Sequence, residues 1–168
     1  FDIDFDIYGN MYVINQWQDI YKINYANKAT YLFYNSGVSV SNSGPNLAVV
    51  NLDIVYYTDG FGNNVYYVSN GTRNTFINGS TSVPVFDNIS RIYYLSRFPN
   101  GICSAVSDNS SKVIFCDTDH DMIKSVSFRE DIVETIVGSQ IFSPFSNDGV
   151  DPLTMTPVRP RVVDYNPI

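Results

Sequence analysis

The sequence holds one histidine, two cysteines, two glutamates and four lysines in 168 residues, and each shortage removes a class of function. His120 is the only residue that could serve as an imidazole base, and it sits among Asp117, Asp119 and Asp121 in a stretch that reads as an exposed turn, so no catalytic residue is assigned. Two cysteines and one histidine make no zinc cluster, and neither a phosphate-binding loop nor a dinucleotide fingerprint occurs. No Lys or Arg falls between Lys28 and Arg73 and the net charge is -7, which argues against a surface that tracks nucleic-acid phosphates. No run approaches the roughly 18 apolar residues of a spanning helix, so membrane insertion is not expected. Phe1-Asp2-Ile3-Asp4 lacks the basic start and apolar stretch of a signal peptide, and without an initiator Met the chain reads as a piece of something longer.

What is present points to a folded, β-rich domain. Hydrophobic residues make up 44% and charged residues 16%, a globular balance, and the length suits one domain over residues 1–150. Residues 151–168, with Pro152, Pro157, Pro160 and Pro167, read as an extended tail that is either a linker or docked on the domain. Asn is abundant, as are Tyr at 13 and Phe at 11. Lys shares the A+T-rich codons of Asn and Tyr yet is scarce, so codon bias leaves room for a binding surface built from Tyr and Asn.

Ile3, Phe5 and Ile7 alternate with Asp2, Asp4 and Asp6, the period of a half-buried strand whose carboxylates face water. Gly9-Asn10 then leads into Met11-Tyr12-Val13-Ile14, predicting a hairpin. Strand-like runs bounded by turn residues follow at 20–25, 30–34, 47–57, 65–68, 75–77, 83–86 and 92–98. Residues 102–107 and 112–116 flank a four-residue loop, and pairing Ser107 with Lys112 sets Cys103 opposite Cys116. That register predicts a disulfide, with two buried free thiols as the alternative.

After Asp117 the period changes. Ser127-Phe128-Arg129-Glu130 matches a capping box, and Phe128, Ile132, Val133, Ile136, Val137 and Ile141 share one face at helical spacing. The expectation is an α+β fold, a predominantly antiparallel sheet wrapped around a single amphipathic helix at about 128–141.

Candidate metal loops fail where they are specific: Asp117, Asp119 and Asp121 have calcium-loop spacing, but Met122 and Phe128 stand where Gly and Glu are required. No metal or cofactor is assigned. Binding of a sugar needs only aromatic faces and polar side chains. The richest local supply is Tyr57, Asp59, Asn63, Asn64 and Tyr67 around one predicted hairpin, with Trp17 as a second platform; core packing is the competing reading for these aromatics.

The size, the Asn/Tyr-rich β character, the paired Cys103 and Cys116 and the tail carrying Arg159 and Arg161 resemble the head domain of a rotavirus outer-capsid spike. The capped helix near the domain's end makes it most similar to the divergent group B head, whose sheet wraps a helix. The resemblance implies a virion-surface attachment domain that binds host cell-surface glycans of galactose or N-acetyllactosamine type during entry. It further implies the remainder of the spike as partner and a protease-sensitive bond at Arg161. No binding residue matches the family residue by residue. A phage or bacterial adhesin or tail-fibre module shares the same character, and a glycan hydrolase is a third possibility.

Overall fold

The computed structural model describes residues 1–38, 44–51, 53–59, 62–79, 89–91, 93–107, 110–138, 152–154 and 159–166. Among them the regular structure is β, apart from two single 3-10 turns at Thr118–His120 and Pro152–Thr154. Four antiparallel strands, β1 (Asp2–Phe5), β2 (Met11–Ile14), β3 (Ile20–Ile23) and β4 (Thr30–Tyr34), form a first meander. A second runs through β5 (Leu47–Asn51), β6 (Ile54–Thr58), β7 (Val65–Ser69) and β8 (Thr72–Gly79). The third comprises β11 (Pro99–Ser107), β12 (Ser110–Asp117), β13 (Met122–Ser127) and β14 (Ile132–Val137). Between the last two, short strands β9 (Ile89–Ser90) and β10 (Leu95–Ser96) extend the outer edges, β9 beside β14 and β10 parallel to β8.

The first strand of each meander packs beside the first strand of the next, with β5 between β1 and β11. Residues 161–166 continue this inner row: the Gly101 amide donates to the Arg161 carbonyl at 2.8 Å. A Cβ at Gly101 would lie 2.5 Å from that carbonyl oxygen, so the approach requires glycine. The described part of the tail is thus docked. Successive four-stranded meanders whose first strands lie side by side in one inner row have the arrangement of β-propeller blades, and three of them lie among the described residues.

Two apolar layers hold the blades together. Tyr12, Ile14, Ile20 and Tyr34 of the first blade meet Leu47, Val49, Val55 and Tyr57 of the second. The second blade's other face, with Ala48, Val50, Tyr56 and Phe76, meets Val113, Phe115, Val126 and Val133 of the third. Both faces of β5 are buried over Leu47–Val50, which is why 47–50 reads as an unbroken apolar run. The single strand expected over 47–57 is two, because Asp53 adopts the left-handed conformation, φ 58°, and turns the chain.

The expected helix is absent, which corrects the α+β assignment to an all-β one. Ser127 ends β13, residues 128–130 form a turn, Asp131 is left-handed at φ 57°, and Ile132–Val137 is strand β14. The predicted helix end at 139–141 lies outside the described residues. The Glu130 amide does donate to Ser127 Oγ at 3.4 Å, so half of the capping box forms, but it closes a β-hairpin. Alternation carries the rest: Val133 points into the core while Glu134 and Ile136 face away. Apolar residues at 132, 133, 136 and 137 satisfy a 3.6-residue period only because the strand carries apolar groups on both faces. β-branched side chains then favour the strand. The strand expected at 83–86 falls outside the described residues.

The cysteine register is also corrected. Ser107 pairs with Ser110, so Cys103 lies opposite Ile114, and Cys116 is displaced by two positions along β12. Both thiols are free and buried. Burial pushes each up to about 12, reinforced at Cys103 by the charges of Asp164 and Asp4.

Two measurements test this packing. Phe115→Ala removes a fully buried ring at the contact between the second and third blades, and is expected to cost about 3–5 kcal/mol in urea unfolding. Alkylation of Cys103 and Cys116 at pH 8 is expected to run roughly a thousandfold slower than for an exposed thiol until denaturant is added, since the thiolate is the nucleophile.

Candidate functional site

A cavity of about 420 Å³ opens along the inner strands. It is lined by Asp2, Ile3 and Asp4 of β1, Asn46 and Leu47 at the start of β5, Gly101 to Ser104 of β11, and Val162 to Tyr165. A smaller one of about 240 Å³ follows the same strands further along, past Phe5 to Ile7 and Val49 to Asn51, sharing Ser104 and Tyr165. No Lys, Arg or His lines either cavity among the described residues.

The carboxylates of β1 do not face water as the alternation suggested. Asp2 Oδ2 accepts the Leu47 amide at 2.8 Å and Asp4 Oδ2 accepts the Val49 amide at 2.7 Å, while Ser104 Oγ donates to the Val49 carbonyl at 2.9 Å. Exposure falls instead on the apolar side of the strand, where Ile3 and Phe5 are each 53% exposed. The reason is topological. β1 and β5 belong to different sheets, and the backbone donors on the inner edge of β5 have no strand to pair with, so the Asp row is turned toward them. Burial raises the Asp4 pKa; the Val49 and Phe5 amides oppose the rise, and the charges of Asp2 and Asp164 add to it. Three carboxylates and the Cys103 thiol therefore share one electronegative space whose free capacity is to accept hydrogen bonds.

The residues predicted from sequence do not assemble into one site. Tyr57 is fully buried in the first interblade layer against Tyr66, at 5.4 Å between ring centroids. Tyr67 lies on the other face of the same sheet, stacked on Tyr56 at 5.7 Å. Asp59 is 5% exposed and accepts the Gly62 amide at 2.7 Å. Asn63 holds the next connection, its Oδ1 accepting the Phe98 amide at 2.6 Å, and Asn64 Oδ1 accepts the Gly79 amide at 2.9 Å. Trp17 is 41% exposed at the β2–β3 turn, away from the cavity lining. Gln18, next to it, reaches the Asp59 carbonyl at 3.5 Å, so Trp17 and Asp59 occupy neighbouring turns on the rim. Arg161 is exposed, with its carbonyl held by Gly101.

One signal in the sequence would have exposed the architecture. Asn15 and Asp59 immediately follow, and Asp117 ends, the second strand of a blade, and each accepts hydrogen bonds in the turn there. Each turn also contains a left-handed residue, Gln18, Asn63 or Asp121. Asp117 is wholly buried and receives the Tyr94 hydroxyl, the Arg97 amide at 2.7 Å and His120 Nδ1 at 2.9 Å. His120 thereby braces a turn. The sugar-site residues named from sequence were thus mostly turn and core components of a repeat.

The Asp4 geometry makes a pH prediction. A carboxyl whose folded pKa lies above 3.8 adds stability only while protonated, and that contribution is lost as pH rises through the folded value. Asp4→Asn keeps an acceptor for the Val49 amide without the buried charge, so the variant is expected to exceed the parent in urea midpoint near about pH 7 and to match it near about pH 3.

No protein-family model matches the chain, and no curated protein matches it. Solved structures do. A Bacteroides thetaiotaomicron protein of unknown function superposes with TM-score 0.76 at 21% identity, over 98% of this chain and 41% of its own. A B. thetaiotaomicron protein described as an auxiliary nutrient binding protein gives TM-score 0.56 at 11% identity, over 82% of this chain and 35% of its own. A Bacteroides ovatus protein of the same description gives 0.50 at 15%, over 82% and 46%. The chain thus spans less than half the length of each, and at these identities the likeness is one of fold.

Proposed function

We propose that this chain is part of a non-catalytic bacterial binding module that seats a small hydroxyl-bearing, neutral or cationic ligand, carbohydrate above all, along its inner strands. The observation that carries it is the cavity whose polar lining includes Asp2, Asp4, Asn46, Ser104, Asp164 and Tyr165, with no cation among the described residues. Such a lining accepts hydrogen bonds from hydroxyl or ammonium groups and repels carboxylate, sulfate and phosphate. Tyr165, 41% exposed, offers a ring face for the C–H surface of a sugar. The nutrient-binding description of two Bacteroides neighbours supports the same class of role. Attachment of a virion to host glycans loses its main support, because the helix that pointed to a group B spike head is a turn and a strand.

The test is a glycan array followed by calorimetry on any hit. Neutral saccharides are expected to bind, with Asp164→Ala or Tyr165→Ala weakening affinity about tenfold or more and Trp17→Ala leaving it unchanged. Equal or tighter binding of anionic glycans would exclude this site. Release of shortened or hydrolysed product from a bound saccharide would overturn the non-catalytic assignment.

A further inference from the structure

The first blade has a second apolar face. Ile3, Val13, Tyr21 and Leu32 stand in register across its four strands, and Phe5, Met11 and Ile23 form a parallel row beside them. These rows carry no charged side chain: Asp2, Asp4 and Lys22 belong to the opposite face. Ile3 and Phe5 are 53% exposed and Leu32 49%. A contiguous apolar sheet face left to water on this scale marks an interface.

We propose that this face packs against a further four-stranded blade of the same polypeptide, one that lies outside residues 1–168. Three observations select that occupant. The blade's other face, and both faces of the second blade, are already covered by such sheets, so the fold repeats a single packing solution. Residues 161–166 run beside β11 on the far side from β5, which places the chain where the inner strand of a fourth blade would begin. The fold also occurs in a solved chain of which the matched part is 41%. A ring of blades buries every sheet face and leaves only short edges, whereas an arc leaves the outer face of each end blade without a neighbouring sheet. The inference is independent of any ligand.

The experiment compares residues 1–168 with the full-length gene product, each with and without the pair Ile3→Ser and Leu32→Ser. Residues 1–168 are expected to enhance the fluorescence of a hydrophobic-surface dye, and the substitutions to reduce that signal severalfold with little change in melting temperature. The full-length product is expected to be dye-silent and monomeric, and to lose about 5 °C or more in Tm on substitution, because there the two side chains are buried. Unchanged Tm in the full-length product would overturn the proposal. So would a gene product no longer than these residues, or a discrete dimer of residues 1–168 that the substitutions dissociate, which would make a second copy the occupant.

Discussion

Each blade ends at its inner edge in a strand whose outward backbone groups have no ladder partner, and satisfying those groups governs much of the rest. At the first junction Asp2 and Asp4 supply acceptors to the amides of β5; at the second, Ser104 supplies a donor to the Val49 carbonyl. At the third the backbone makes the contact directly, Gly101 to Arg161, since no side chain intervenes at glycine. Buried backbone donors left unpaired would cost on the order of 1–3 kcal/mol each, so these side chains set how closely the blades can approach. They also concentrate carboxylates in the space between the strands, and the site's electronegative character follows from an assembly requirement.

Much of the strand pattern was legible in the sequence and the spatial arrangement was not. Period-two alternation finds β1, which ends at Phe5 instead of running on to Ile7, and the hairpin to β2 is real, but its turn lies at Ile7-Tyr8 and not at Gly9-Asn10; Asp6 organises it by accepting the Tyr8 and Asn10 amides at 3.0 and 2.9 Å. Alternation says that two faces differ in polarity but not which of them meets protein. The usual assumption sends carboxylates to solvent, and here it fails because a neighbouring sheet edge needs acceptors more than it needs apolar contact. The stretch 127–141 fails for a related reason: β14 carries apolar groups on both faces, Val133 toward the core and Ile136 away from it, so its pattern fits a helical period as well as a strand's. The recurring Asn15, Asp59 and Asp117 turns were a stronger indicator than either pattern, but they become visible only when the chain is compared with itself.

The candidate site shows the same division. An Asn- and Tyr-rich composition suggested an aromatic binding surface, yet Tyr12, Tyr56, Tyr57 and Tyr94 are core residues between the blades. Flat, rigid rings with a polar tip suit the space between two twisted sheets, where T-shaped contacts such as Tyr56 on Phe76, 4.8 Å between centroids, fill it without long flexible side chains. The asparagines hold turns. What remains for ligand recognition comes from the inner strands, whose Asp2, Asp4, Ser104 and Asp164 are scattered along the sequence and show no motif spacing.

The double burial of the second blade has a consequence for how the molecule loses its structure. A sheet covered on both sides can expose its amides only if a neighbour leaves first, so opening is ordered from the flanks inward. In this respect the chain behaves like a short linear array, in which each unit's persistence depends on its nearest neighbours more than on its own contacts. In residues 1–168 taken alone the first blade, with one side bare, is the place where fraying starts. Because Asp2 and Asp4 sit on that blade, the earliest opening event would also dismantle one wall of the cavity, coupling the lifetime of the binding surface to the most labile part of the fold.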